Sequence, residues 1–307
     1  MTELQRYLAE EVAEDHADGI ITRREAVRRL GLLGVSAGAA ATLLGAAASE
    51  AVAKHGAAGD RARTRGHSGQ GGQGRTVDWA PVATEAITFA GPAGQLMAAW
   101  APAAGGTRGA VLVIHENRGL NDHIRNVAGR FAASGYAALA LDLLSAEGGT
   151  AAFPGEAEVG AALSAAPPER FDADMKAAVT ELRRRSPGMP IAAIGFCFGG
   201  GMVWRLLAAG ERRLDAAAPF YGPFPQGGDL SGAKAAVLGV YAGLDDRVNA
   251  TRDAARTALE AAGLDHRILT FTEADHAFFN DTGPRFNAPA AEEAWHRVLR
   301  WFGKRAN

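Results

Sequence analysis

Between residues 84 and 302, short apolar runs alternate with longer stretches in which apolar side chains recur every three or four positions. Gly109–Ile114 (Gly-Ala-Val-Leu-Val-Ile) and residues 136–141 are almost uninterrupted apolar runs, the pattern of strands buried on both faces of a parallel sheet. Residues 86–90 and 95–100, on either side of Gly91-Pro92-Ala93-Gly94, predict a β-hairpin. Further strands are predicted at 191–195, 216–221, 235–241 and 267–271. Helical spacing predicts helices at 123–134, 172–185, 250–262 and 289–302, and one beginning after Gly199-Gly200-Gly201. Residues 144–168 read as loop-rich. Strands alternating with helices over this length define a doubly wound, mostly parallel α/β sheet with helices on both faces. Ligands of such sheets bind beyond the carboxyl ends of the strands, so the chemistry is expected just after each strand.

The first seventy-six residues follow a different pattern. Leu4, Tyr7, Leu8 and Val12, with Glu10, Glu11, Glu14 and Asp15 between them, predict an amphipathic helix over residues 3–15. Thr22-Arg23-Arg24 leads into an uncharged run of Ala, Gly and Leu from 30 to 49, with the small-residue sites Ala46-Ala47-Ala48 near its end and Ala51-Val52-Ala53 just beyond it. Positive charge, apolar stretch and small-residue site are the ordered parts of an export signal, here of the twin-arginine type, which implies the Tat machinery as a partner and a periplasmic or extracellular location. The aromatic or leucine usual two positions beyond the arginine pair is absent. A cytoplasmic N-terminal helix and a single membrane anchor are the competing readings, the run being barely long enough to span. Residues 54–76 carry almost no apolar side chains and read as a flexible, Gly-rich basic linker, with His55 and His67 solvated. The expected organisation is thus a signal at 1–53, a linker at 54–76 and a catalytic domain at 77–307.

A net charge of −2 over 307 residues points to neither nucleic acid nor an acidic membrane surface as partner. The expected partner is a small molecule, acted on by a monomer or small homo-oligomer. The single cysteine excludes an intrachain disulfide and singles out Cys197 as the one thiol. No cofactor is expected. Metal binding is not expected either: His115-Glu116 invites a zinc reading, but a metalloprotease helix needs a second histidine four residues after the first, where Gly119 stands.

Cys197 lies in Gly195-Phe196-Cys197-Phe198-Gly199, between a strand and a helix. This spacing is that of Gly-x-Ser-x-Gly, the nucleophile elbow of α/β-hydrolases, with cysteine in place of serine. The sulfur would stand at a helix N-terminus whose dipole favours a thiolate. A buried core cysteine beside a glycine-rich turn is the alternative. Other strand ends carry matching chemistry. Asp245 follows one strand and His276 follows the last, giving the chain order nucleophile, acid, base. Asp246 or Asn249 would be an ordinary helix cap there. After residue 114 comes His115-Glu116-Asn117-Arg118-Gly119, the loop that in this fold supplies one oxyanion-binding N–H, here from Asn117, with Phe198 supplying the other. Glu116 alone would read as a solvated loop acid. Arg118, Tyr221 and Asn280 are the candidate substrate contacts. A thiol of ordinary pKa about 8.5 needs the imidazole to take its proton, and Asp245 would fix the imidazole tautomer.

These motifs, His115-Glu116-x-x-Gly119, Gly195-Phe-Cys-Phe-Gly-Gly200, Gly243-Leu-Asp245 and His276-Ala-Phe278, resemble those of the dienelactone hydrolase family (carboxymethylenebutenolidase-like) over residues 84–302. The resemblance implies an α/β-hydrolase that cleaves small esters or lactones through Cys197, Asp245 and His276 and a thioester, with Glu116 contacting the resting thiol and swinging away when substrate arrives. A non-catalytic small-molecule-binding protein on the same fold is the competing function. Two positions depart from the family pattern. The Asp-Leu-Tyr-Ala-Arg typical of the chlorocatechol-pathway enzymes is Asp142-Leu143-Leu144-Ser145-Ala146 here, and the arginine four residues after the histidine is Asn280.

Overall fold

The computed structural model describes residues 1–64 and 80–305, so most of the segment read as a linker lies outside the described residues. The chain divides into two units, Met1–Thr76 with Pro154–Ala166, and Val77–Phe153 with Pro167–Asn307. In the larger unit the apolar runs become strands: β1 Glu85–Gly91, β2 Gly94–Ala101, β3 Gly109–Ile114, β4 Tyr136–Asp142, β5 Ile191–Phe196, β6 Ala216–Phe220, β7 Ala236–Ala242 and β8 His266–Phe271. They form one sheet in the order β1-β2-β4-β3-β5-β6-β7-β8. The β1–β2 hairpin enters antiparallel, β2 pairs antiparallel with β4, and every later pairing is parallel. Val111, Leu112, Val113 and Ile114 are fully buried, each contributing about 1.5–3 kcal/mol relative to exposure.

The helices of this unit are α4 Asp122–Ala133, α6 Pro168–Arg185, α7 Phe198–Ala208, α8 Asp246–Asn249, α9 Arg252–Ala261 and α10 Ala288–Gly303. Passage from β3 to β4 runs toward one edge of the sheet and from β4 to β5 toward the other. Right-handed crossovers therefore set α4 on one face and α6 on the opposite one, joined there by α7. On the first face Phe131 of α4 meets Trp295 of α10, with ring centroids 4.6 Å apart. On the second, Phe171 of α6 meets Phe198 of α7 edge-on at 5.8 Å. The register pairs Ile114 of β3 with Gly195 of β5, which brings the ends of these two central strands side by side.

The smaller unit is helical: α1 Glu3–Ala17, α2 Arg23–Leu32, α3 Ala37–Thr64 and α5 Glu156–Ala165. Thr2 and Gln5 cap α1 reciprocally, and Thr22 caps α2 through the Glu25 N–H. α5 packs against α1 and α2. Arg28 bonds Glu158 of α5 at 2.6 Å and Glu25 of its own helix at 2.9 Å. Three sequence expectations are corrected here. The loop-rich reading of 144–168 missed α5, whose Ala-rich stretch between Pro154 and Pro167 is helical. The predicted helix at 250–262 is α9, preceded by the separate short α8. α3 runs to Thr64, into the segment read as linker from residue 54. Among the described residues no helix is long and apolar enough to cross a membrane.

Candidate active site

Cys197 occupies the turn between β5 and α7 with φ 57° and ψ −121°. Such a conformation costs a non-glycine residue about 1–3 kcal/mol and persists only where the surroundings enforce it. The two flanking glycines supply that enforcement. A Cβ on Gly195 would sit 2.1 Å from the Gly199 carbonyl oxygen, and one on Gly199 would sit 2.4 Å from the carbonyl oxygen of Ile114. The first turn of α7 is thus pressed onto the end of β3, and the sulfur is set at the helix N-terminus. Among the described residues three non-glycine residues have positive φ: Cys197, Tyr221 (33°) and Ala277 (60°). All three follow the carboxyl ends of strands β5, β6 and β8, where the fold concentrates its strain.

Asp245 and His276 meet at this same end of the sheet. Asp245 is the N-cap of α8, accepting from the Val248 N–H through Oδ1 at 3.0 Å, while Oδ2 lies 2.6 Å from His276 Nδ1. The cap that the sequence offered to Asp246 or Asn249 is therefore filled by Asp245 itself, and Asn249 instead donates to the Ala242 carbonyl. With Nδ1 engaged by Asp245, the imidazole also lies near Cys197, whose charge favours the protonated ring. Cys197 Sγ lies within 4.8 Å of the ring nitrogen. Burial alone would lower the His276 pKa, but the charges and hydrogen bonds of Asp245 and Cys197 outweigh it and raise it well above the ordinary value. Asp245 shows the mirror case: burial pushes its carboxyl up, and His276 more than offsets this, holding it below the usual carboxylate range. The arrangement can hold an imidazolium between two anions, one of them a thiolate. The ring of Tyr221 stands edge-on to His276 at 5.2 Å.

The loop after β3 is held from two sides. His115 is fully buried, with Nδ1 donating to the Glu116 carbonyl at 2.6 Å and Nε2 accepting from the Leu143 N–H at 3.2 Å. Burial depresses its pKa, so it is a neutral structural imidazole with both nitrogens committed to backbone. Asp142 accepts from the N–H and hydroxyl of Thr150, whose hydroxyl oxygen accepts from the Leu120 N–H at 2.9 Å. Gly119, at φ 75°, leaves room for that threonine. These bonds fix the turn that carries Asn117 and Arg118, both half-buried, beside the first turn of α7 where the Phe198 N–H begins. Glu116 is buried, and its Oε2 accepts from Asn280 Nδ2 at 2.7 Å. Asn280 is in turn locked by Thr282, whose N–H and hydroxyl both donate to Asn280 Oδ1.

Sequence reasoning set Cys197, Asp245, His276 and the β3 loop at strand ends, and the structure brings them to the same end of the sheet. It missed the brace of Asp142 and Thr150, which carries no motif and depends on a turn returning eight residues later. It also missed the pairing of Glu116 with Asn280, 164 positions apart.

A parallel-centred sheet in this strand order with a cysteine elbow after β5 makes the larger unit an α/β-hydrolase. The family model of the dienelactone hydrolase family matches residues 97–306, and the chain belongs to that family of ester- and lactone-bond hydrolases. The Escherichia coli O157:H7 protein named "Putative carboxymethylenebutenolidase" is 33% identical over 208 residues, covering 62% of this chain and 75% of its own length. Among solved structures, a dienelactone hydrolase-like promiscuous phosphotriesterase from metagenomic libraries is 25% identical with a TM-score of 0.61, covering 73% of this chain and 99% of its own. A hyperthermophilic esterase from the archaeon Pyrobaculum calidifontis shares the fold at 15% identity and a TM-score of 0.55, over 74% of this chain and 87% of its own.

Proposed function

We propose that the chain hydrolyses esters or lactones of small molecules through Cys197, with His276 as base and acid and Asp245 orienting the imidazole. The observation that carries this is the buried 2.6 Å contact of Asp245 with an imidazole that has a ring nitrogen within 4.8 Å of a thiol at a strained helix N-terminus. The thiolate adds to the acyl carbon, and the carbonyl oxygen, now anionic, is held by the N–H groups of Asn117 and Phe198. Collapse expels the alcohol, which takes the imidazolium proton, and leaves a thioester on Cys197. Water then gives a proton to His276, adds to the thioester carbon, and releases the acid with return of the thiolate.

Asn280 supports a preference for uncharged substrates. It spends its amide on Glu116, so position 280 offers no guanidinium to a substrate carboxylate. The experiment is a panel of p-nitrophenyl acetate, neutral lactones and a carboxylate-bearing dienelactone, run on the wild type and on Cys197→Ala. Turnover of the neutral members is expected, with kcat/KM falling at least about a thousandfold in the variant. Ligand binding without turnover in the wild type, or an unchanged rate in Cys197→Ala, contradicts the proposal.

A further inference from the structure

A second cluster of chemistry stands at the opposite end of the same sheet. Arg108 immediately precedes β3 and Tyr136 opens the parallel strand β4, so both lie at amino-terminal strand ends, away from the carboxyl ends that carry Cys197. The last turns of α10 pack beside them. Arg108, His296, Leu299, Arg300, Gly303 and Lys304 line an open recess of about 390 Å³, and among the described residues no carboxylate lines it. Glu292 is the nearest acid with a contact to this set, 3.9 Å from His296 Nε2 on the exposed rim. Basic residues near a helix C-terminus have an ordinary reason in the helix dipole, which accounts for Arg300 and Lys304. That reason does not reach Arg108 or Tyr136.

Behind the lining residues, Tyr136 packs against Arg108 and Gly303. Tyr136 is 2% exposed, and its hydroxyl has no hydrogen-bond partner. Buried hydroxyls are normally bonded, so an unused one needs a reason. The Arg108 guanidinium lies over the Tyr136 ring, 5.1 Å from its centroid. A Cβ on Gly303 would stand 2.8 Å from Arg108 Nη2 and 3.6 Å from the Tyr136 hydroxyl oxygen. Gly303 thus packs directly against the Arg108 guanidinium, with the Tyr136 hydroxyl next to both, and a side chain at residue 303 would displace the guanidinium.

We propose that this recess binds a small molecule bearing phosphate or carboxylate groups, its oxyanion held by Arg108 and Arg300 with Lys304 beside them and by a hydrogen bond from the Tyr136 hydroxyl. Guanidinium groups suit this task because their planar fork matches an oxyanion edge. Burial raises the Tyr136 pKa against the opposing charge of Arg108, which keeps the phenol protonated as a donor. The site is independent of the hydrolytic chemistry and shares no residue with it.

The test is titration calorimetry of the full chain with inorganic pyrophosphate and, separately, citrate at constant ionic strength. The wild type, Arg108→Ala, Arg300→Ala and Tyr136→Phe are compared. Saturable binding of at least one anion is expected, weakened about tenfold by either arginine replacement and severalfold by Tyr136→Phe. Which anion binds distinguishes phosphate from carboxylate ligands. Removing an unbonded hydroxyl leaves the thermal midpoint unchanged or raised, so Tyr136→Phe reports on binding and not on folding. Absence of saturable binding by both anions overturns the proposal. So does binding that Tyr136→Phe leaves unchanged, because that behaviour belongs to a diffuse positive surface.

Discussion

If His276 acts as proposed, replacing it by alanine should strip Cys197 of a cation that stabilises its thiolate. The wild-type thiol is expected to react with iodoacetamide well below pH 8, because an imidazole whose pKa is raised by Asp245 and Cys197 remains charged there and holds the anion beside it. In His276→Ala the alkylation rate should instead rise only as pH approaches about 8.5, the ordinary thiol value. Identical pH profiles for the two proteins would remove the imidazolium–thiolate pair from the account. Cys197, Asp245 and His276 were legible in the sequence because each stands at a strand end and the strands announced themselves. The backbone conformations around them were not. Tyr221 and Ala277 hold positive φ although neither is a residue type that favours it, so nothing local distinguishes them. Glu116 and Asn280 read as separate loop residues because their contact exists only once β3 and the last loop meet.

The loop after His276 is tied to α4 by one carboxylate. Asp281 accepts from His123 Nδ1 at 3.0 Å and also from Arg130, a buried arginine on the same helix. Burial raises its pKa, but the bonds to His123 and Arg130 prevail and bring it down to about 2. A carboxyl with a lowered folded-state pKa stabilises above its unfolded value and loses that contribution as pH falls through the folded value. Because Asp281 is exposed and its interactions are screened by solvent, it should supply only about 1 kcal/mol above pH ~4.5, lost as pH falls toward about 2. Asp281→Asn should be less stable at neutral pH by about that amount or more, since Arg130 is left buried without its anion, and the gap should close in acid. Urea unfolding of both proteins from pH 7 to 3 measures this, and a gap independent of pH contradicts it. Among the elements, the parallel strands were legible because they are buried on both faces and read as unbroken apolar runs. α5 was not, since small residues and flanking prolines give it little of the periodicity that marks a helix exposed on one side.

At the scale of the molecule, alternation of strands and helices disclosed the sheet, but nothing local disclosed that α5, spliced into the connection from β4 to α6, folds with α1, α2 and α3. α5 packs on α1 and α2 and bonds Arg28 through Glu158. Cutting after Ala48 or Ala53 would remove both partner helices from α5. The packing therefore predicts that the N-terminal helices are retained in the working protein, whichever compartment it occupies. Peptide mass spectrometry of the active protein from its native host should detect peptides from α1 and α2. Peptides beginning only beyond residue 48 contradict this. The central claim, that Cys197 carries the acyl group during turnover, is tested most directly by quenching the protein in acid while it consumes p-nitrophenyl acetate and mapping the product by peptide mass spectrometry. The account predicts a single acetyl group on Cys197, accumulating further when His276 is replaced by a residue too weak to activate water. Turnover with no acyl group on that sulfur, or with the group on another residue, would contradict it.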